Sequence, residues 1–188
     1  MAEEKISYFP NTGTENTVEV FSIAKLRAAE LGIKTILVAS TTGATAVEAT
    51  KFFTGINVIA VTHAAGYKKP NTQEFTEENR RKVEAHDGQI LTTAHAFAGL
   101  SRAMRKKFDM YLLGEDVANT LRIFGHGMKV ACEIALMAAD AGLVRTDEDI
   151  ISIGGTGRGA DTALVLKPVN SDDFFDLKVR EILCKPHF

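Results

Sequence analysis

Apolar positions follow two rhythms along this chain, a helical spacing of about 3.6 residues and short unbroken runs, and their alternation predicts helices and buried strands in turn. Asn16-Thr17-Val18-Glu19 reads as a capping box, after which Val20, Phe21, Ala24, Ala28 and Leu31 fall on one helical face until Gly32. Lys34 to Ala39 and Asn57 to Thr62 are continuous apolar runs of the kind that strands buried on both faces require, with a helix from Ala44 to Phe53 between them. From Glu77 to His86 acidic residues lead and Arg80, Arg81 and Lys82 follow, which suits a helix dipole, and Gly88 closes the segment. Gln89 to Thr93 reads as a short strand and Phe97 to Lys107 as a helix. Glu115 to Ala141 is a long helical stretch that Gly125-His126-Gly127 either kinks or divides. Asp149 to Ile153 and Thr162 to Lys167 read as strands. The link between them is too short for a helical crossover, so they are predicted to run antiparallel. Phe174 to Cys184 reads as a terminal helix.

No repeat, linker or low-complexity tract interrupts this order, so residues 1–188 are expected to form one three-layer α/β domain. In such a sheet the ligand edge lies outside the carboxyl ends of the strands. Four polar or glycine-rich segments fall at those ends: Ser40 to Thr45, Thr62 to Tyr67, Thr93 to His95 and Gly154 to Asp161. The amino end of the first helix, Gly13 to Thr17 with Asn16, is expected at the same edge, so one pocket can collect all five.

Two of these segments outline an anion site. Ser40, Thr41, Thr42 and Thr45 offer hydroxyl donors, Gly43 permits close backbone approach, and the amides from Ala44 onward open a helix toward the ligand. The loop containing Gly155, Thr156, Gly157, Arg158, Gly159, Asp161 and Thr162 adds further amides and one guanidinium. Each has a plainer reading: the first as an ordinary helix cap, the second as a hairpin whose glycines supply positive φ. Gly66 and Tyr67 lie on the long irregular loop from His63 to Asn71. His63, directly after a strand, is the candidate for proton exchange beside a ligand, although no base partner for it can be named from sequence. His95 has the same status. The glycines around His126 mark either close approach or a kink, and Arg102, Arg105, Lys106 and Lys107 read as a solvated basic face.

Composition narrows the partners. With 45% hydrophobic and 24% charged residues among 188, the chain suits a well-buried globular core. A net charge of −2 offers no general attraction to nucleic acid or anionic lipid, so a small anion would rely on local charge at Lys68, Lys69 and Arg158. Two cysteines are too few for a disulfide framework, and Cys132 sits in an apolar helical run. Met1 to Lys5 lacks the pattern of an export signal and no run is long enough to span a bilayer, so a cytoplasmic protein is expected, with self-association into a homo-oligomer permitted. Gly155-x-Gly157-x-x-Ala160 fits a dinucleotide fingerprint only superficially, because a β-rich segment follows it rather than a helix, and neither glycine loop ends as a Walker A sequence does. The five histidines lack metal-ligand spacing, and no metal is expected.

Lys34 to Ala46, Val58 to Thr62 and Gly154 to Thr162 resemble the carboxy-terminal α/β domain of pyruvate kinase over most of the chain. In that domain a Ser/Thr-Gly turn and a late glycine loop hold the phosphates of an allosteric sugar bisphosphate. The resemblance is closer to a family of stand-alone, mostly archaeal and uncharacterised proteins with this domain, associated with flavin mononucleotide. It implies a three-layer α/β/α sandwich with a mixed, mostly parallel sheet whose last strand is antiparallel. Pyruvate kinase carries its catalytic lysine and metal ligands on a separate barrel, which nothing here can form, so transfer from phosphoenolpyruvate is not implied. Ser40-x-Thr42-Gly43-x-Thr45 is also similar to the phosphate loop of flavodoxins, although a helix precedes the strand here and there is no Trp to stack on a flavin. Two functions are therefore expected: binding of flavin mononucleotide, with redox chemistry as its use, or a non-catalytic module that senses a sugar phosphate or nucleotide.

Overall fold

The computed structural model describes residues 4–187; Met1 to Glu3 and Phe188, part of the terminus considered above, lie outside them. One seven-stranded sheet runs through the domain in the order β1-β7-β6-β5-β2-β3-β4. Its strands are β1 (Ser7–Phe9), β2 (Thr35–Ala39), β3 (Asn57–Val61), β4 (Gln89–Leu91), β5 (Ile150–Gly154), β6 (Thr162–Lys167) and β7 (Lys178–Pro186). Every neighbouring pair is parallel except β5–β6 and β6–β7, so six strands share one direction and β6 alone opposes it. The β5–β6 hairpin follows from its short link, as expected.

The described residues form six α-helices, α1 (Thr17–Leu31), α2 (Ala44–Phe52), α3 (Glu77–Glu84), α4 (Gly99–Phe108), α5 (Leu113–Arg122) and α6 (His126–Asp140); α1, α2, α3 and α6 pack on strands, while α5 packs on α6 and α4 on α5. Strand β2 shows how the apolar runs separate the layers. Ile36 and Val38 point into a core with Val20, Phe21, Ala24 and Phe53. Leu37, between them, points the other way, into a core with Cys132, Ala135 and Met137 of α6. All three are fully buried, and each such side chain is worth about 1.5–3 kcal/mol relative to exposure. Helix α6 is buried almost all round, including the Lys129–Glu133 pair, which a helix interior to the fold tolerates only because the two side chains bond each other. Both cysteines are buried as free thiols, and burial pushes them up to about 12, which leaves them as inert packing groups. Among the described residues no helix is long and apolar enough to cross a membrane.

Several sequence expectations are corrected. The segment 174–184 is not a helix: a short 3-10 turn at Ser171–Asp176 leads into β7, which fills the slot between β1 and β6. Its local helical rhythm yields to backbone hydrogen bonds from two neighbouring strands, and the pairing with β6 is irregular at two points. Strand β1, only three residues long, carries no periodic signal and was not expected. The capping box also fails. Asn16 closes a 3-10 turn with φ −88° and ψ −12°, and its side chain donates to the Asn11 carbonyl at 2.9 Å instead of capping α1. The buried stripe of α1 ends at Ala28, leaving Leu31 44% exposed. The 115–141 stretch is divided between α5 and α6. Gly125 sets the break with φ +120° and ψ 151°, a conformation closed to other residues.

Candidate functional site

Strand order reverses between β2 and β5: from β2 the chain builds outward through β3 and β4, then returns to lay β5 on the other side. Strand β2 leads into α2, whereas β5 turns straight back into β6 through a loop packed on the entry of α1, and a crevice lies between these loops at the carboxyl edge. A cleft of about 540 Å³ occupies that crevice, within the roughly 300–1,000 Å³ of small-molecule sites. Residues from all five predicted places line it: Thr14 and Thr17, most of the 40–45 turn, Thr62, His63 and Tyr67, His95, and part of the glycine loop.

Twelve of the site residues expected from sequence reach this lining: Ser40, Thr41, Thr42, Ala44, Thr45, Thr62, His63, Tyr67, Gly155, Gly157, Arg158 and Gly159. The buried Ser40 hydroxyl accepts from the Ala46 amide at 3.2 Å, so the cap reading is true of one hydroxyl, reached from six residues upstream. Among the described residues the amides of Ala44 and Thr45 and the hydroxyls of Thr42 and Thr45 have no protein partner. Arg158, exposed at the tip of its loop, pairs with no described carboxylate.

Six expected residues lie behind the lining. Asn16 is turned toward Asn11. Gly43 does not serve close approach of a ligand: with φ +95°, an added Cβ would meet Asn79 Cβ at 2.6 Å and the Phe75 ring at 2.7 Å, on the side facing α3. Its role is to let the turn pack on the protein. Gly66 is in a turn held by its amide to the Thr72 carbonyl at 2.8 Å. Asp161 is fully buried and accepts from the amides of Gly13 at 3.2 Å and Thr156 at 3.0 Å and from the Thr162 hydroxyl at 2.8 Å. This one carboxylate thereby ties Thr156 and Thr162 together and fastens the glycine loop to the entry of α1.

The partner that sequence could not supply for His63 is Glu74. The His63 Nδ1 lies 2.8 Å from Glu74 Oε2, and Lys68 Nζ lies 2.5 Å from Glu74 Oε1. The hydrogen bond from Lys68, joined by that of His63, holds the Glu74 carboxyl below the usual carboxylate range. An ionised Glu74 accepts from Nδ1–H, which leaves Nε2 as the acceptor, 3.5 Å from Thr41 Oγ1 at the turn. The imidazole is also packed against Tyr67, with ring centroids 4.0 Å apart, and Tyr67 stacks on His95 at 5.1 Å.

A second charged set comes from the α6 side of the sheet. Glu133 bonds Lys129 and lies 3.7 Å from His95 Nδ1, while its other oxygen accepts from the Phe97 amide at 3.1 Å. Burial pushes this carboxyl up, but the bonds and charges of His95 and Lys129 prevail and hold it at about 2. His95 Nε2 accepts from the Ala64 amide at 3.4 Å, so its other nitrogen carries the proton toward Glu133. Arg102 is not part of a solvated face. It donates to the Tyr67 hydroxyl at 2.9 Å and lies over that ring at 4.2 Å. Arg122 and His126 complete this wall. Glu74, Glu133, Arg122 and Lys129 carry no local signal of a site in the sequence, because only the fold brings them to the crevice.

The fold and its crevice define a three-layer α/β domain with a cleft at a topological switch point. The family model for the alpha/beta domain of pyruvate kinase matches residues 18–166, and the chain belongs to that family. Solved structures similar to it include two crystal structures of pyruvate kinase from Cryptosporidium parvum, both 12% identical, with TM-scores of 0.41 and 0.39. The matches cover 80% of this chain but only 22% of those enzymes, so it spans under a quarter of their length.

Proposed function

We propose that the cleft binds a phosphorylated small molecule, that this ligand is flavin mononucleotide, and that the 40–45 turn and Arg158 receive its phosphate. The observation that carries the reading is unspent donor capacity at one place. The Ala44 and Thr45 amides, the Thr42 and Thr45 hydroxyls and the Arg158 guanidinium all line the cleft without a described partner. Amides at a helix start favour a dianion, and a guanidinium adds charge-assisted bonds. The residues present fit the phosphate, and the cleft has the volume of a cofactor site. Flavin supplies electron chemistry when bound, and the protein supplies orientation and proton control. His63 is suited to the latter, since Glu74 fixes its Nδ1 and leaves Nε2 to accept a proton at the cleft.

A second reading has support from the same donors, since every one of them addresses phosphate and none selects a flavin ring. It is a sensing module for a sugar phosphate or nucleotide that is bound without turnover. An absorbance spectrum of protein purified without added cofactor separates the two, with flavin bands expected near stoichiometry. Titration calorimetry then compares flavin mononucleotide with riboflavin. At least tenfold tighter binding of the phosphorylated form, about 1.4 kcal/mol, is expected, and Arg158→Ala should narrow that gap. Equal affinities would overturn the phosphate assignment, and a colourless protein stabilised by sugar phosphates would decide for sensing.

A further inference from the structure

Nine arginines occur in the chain. Six of them, Arg27, Arg80, Arg81, Arg105, Arg145 and Arg180, lie within salt-bridge distance of a carboxylate. Among the described residues the three without one are Arg102, Arg122 and Arg158, and all three line the same cleft. Arg158 faces the 40–45 turn and belongs to the reading above. The other two stand on α4 and at the last turn of α5, in the layer across the sheet from α2, where they also border a smaller adjoining cavity of about 150 Å³.

We infer that Arg102 and Arg122 form a second anion-binding site in the cleft, which takes a carboxylate or phosphate group of a small molecule. The inference rests on reading the cleft as a small-molecule site but not on the phosphate at the 40–45 turn. The carboxylates nearest this wall take other partners, none of them Arg102 or Arg122. Glu133 is held by Lys129 and the Phe97 amide, Glu74 by Lys68 and His63, and Glu115 gives Oε1 to Arg105 at 2.9 Å while its buried Oε2, in the smaller cavity, has no described partner. Glu48 lies on the α2 side of the cleft. Arg102 spends a donor on the Tyr67 hydroxyl, and Arg122 spends one on Asn119 Oδ1 at 2.6 Å. A guanidinium has five N–H groups, so each retains donors for a ligand while these bonds fix its position. His126 borders the same wall, and desolvation first, then the charges of Arg122 and Lys129, push its imidazole below the usual histidine range, toward the neutral form. Among the described residues neither Arg102 nor Arg122 has a carboxylate within salt-bridge distance, and two cations on one cavity wall repel, so an anion between them removes that repulsion.

The test is calorimetric titration with inorganic phosphate at fixed ionic strength, on the wild type, Arg158→Ala, Arg122→Ala and the double variant Arg102→Ala/Arg122→Ala. Two phosphates per chain are expected for the wild type. The double variant should lose one by at least tenfold, Arg122→Ala should weaken that same one, and Arg158→Ala should weaken the other. Arg122 is exposed, so its replacement keeps the test valid even if the double variant does not fold. Unchanged binding of both phosphates in Arg122→Ala and the double variant would overturn the inference, and so would loss of one common site in every variant. Loss in the double variant with none in Arg158→Ala would uphold it and overturn the phosphate assignment at the turn. A sugar bisphosphate that outcompetes its monophosphate tenfold, only while Arg102 and Arg122 are present, places the second anion on the same ligand. Equal competition, with phosphate still filling the second site, places it on a separate molecule.

Discussion

Replacing Asp161 by Ala should detach the glycine loop, whereas replacing it by Asn should not. The carboxylate is fully buried and one of its oxygens accepts both the Gly13 and Thr156 amides, at 3.2 and 3.0 Å. Alanine leaves two partly buried amides without an acceptor, each costing roughly 1–3 kcal/mol, for a total of about 2–4 kcal/mol because water can reach the loop in part. Asparagine can present its carbonyl oxygen to both amides and turn its NH₂ toward Thr162, whose hydroxyl can reverse and accept. What it loses is the charge assistance, about 1 kcal/mol. Urea unfolding with a shared slope gives both differences, and amide exchange at Gly155 to Gly159 reports the loop itself. Equal destabilisation by the two variants would refute the reasoning, as would an Ala variant within 0.5 kcal/mol of the wild type, about the scatter of a surface change.

Gly43→Ala should destabilise the fold by roughly 2–4 kcal/mol, combining overpacking against Phe75 and Asn79 with the cost of a positive φ, and denaturant midpoints would show it. Glu133→Gln should flatten the acid limb of stability. The folded carboxyl sits at about 2 against an ordinary 4.5, so its contribution is complete above 4.5 and is lost as pH falls through about 2. Between those values the wild-type curve should be steeper than that of the Gln variant by up to one proton, about 1.4 kcal/mol per pH unit, and parallel curves would contradict it. His63→Ala in flavin-loaded protein should shift the reduction potential while affinity changes little, since the phosphate contacts remain, and Glu74→Gln should reproduce part of the shift; a redox titration of each variant is the check.

What the sequence made legible and what it hid differ in physical kind. Strands β2, β3 and β5 are runs buried on both faces, and such runs need no tertiary knowledge to be seen. The five loops at the ligand edge followed from those strands, because direction alternates with each connection. The segment 174–184 misled because its side chains fit a helix while its backbone is claimed by β6, which just precedes it, and by β1 at the other end of the chain, where Ser7 pairs with Cys184. Gly43 misled differently: its residue type was informative, but the packing it permits is against Phe75 and Asn79 rather than toward a ligand.

The same distinction explains why Ser40 to Thr45 was visible and its counterpart was not. Backbone donors at a helix start are contiguous in sequence, so the turn announces itself within six residues. Glu74 comes to His63 from the far end of a loop, and Arg102, Arg122 and Lys129 come from three helices. In sequence Arg102 stands among Arg105, Lys106 and Lys107 as one more basic residue of a helix end. Only its contacts distinguish it. Arg105 is neutralised by Glu115, whereas Arg102 is turned onto Tyr67 and keeps its charge for the cleft. Compensation, more than residue type, therefore marks the ionic groups available to a ligand, and by that measure the two layers of this fold each bring positive charge to one crevice.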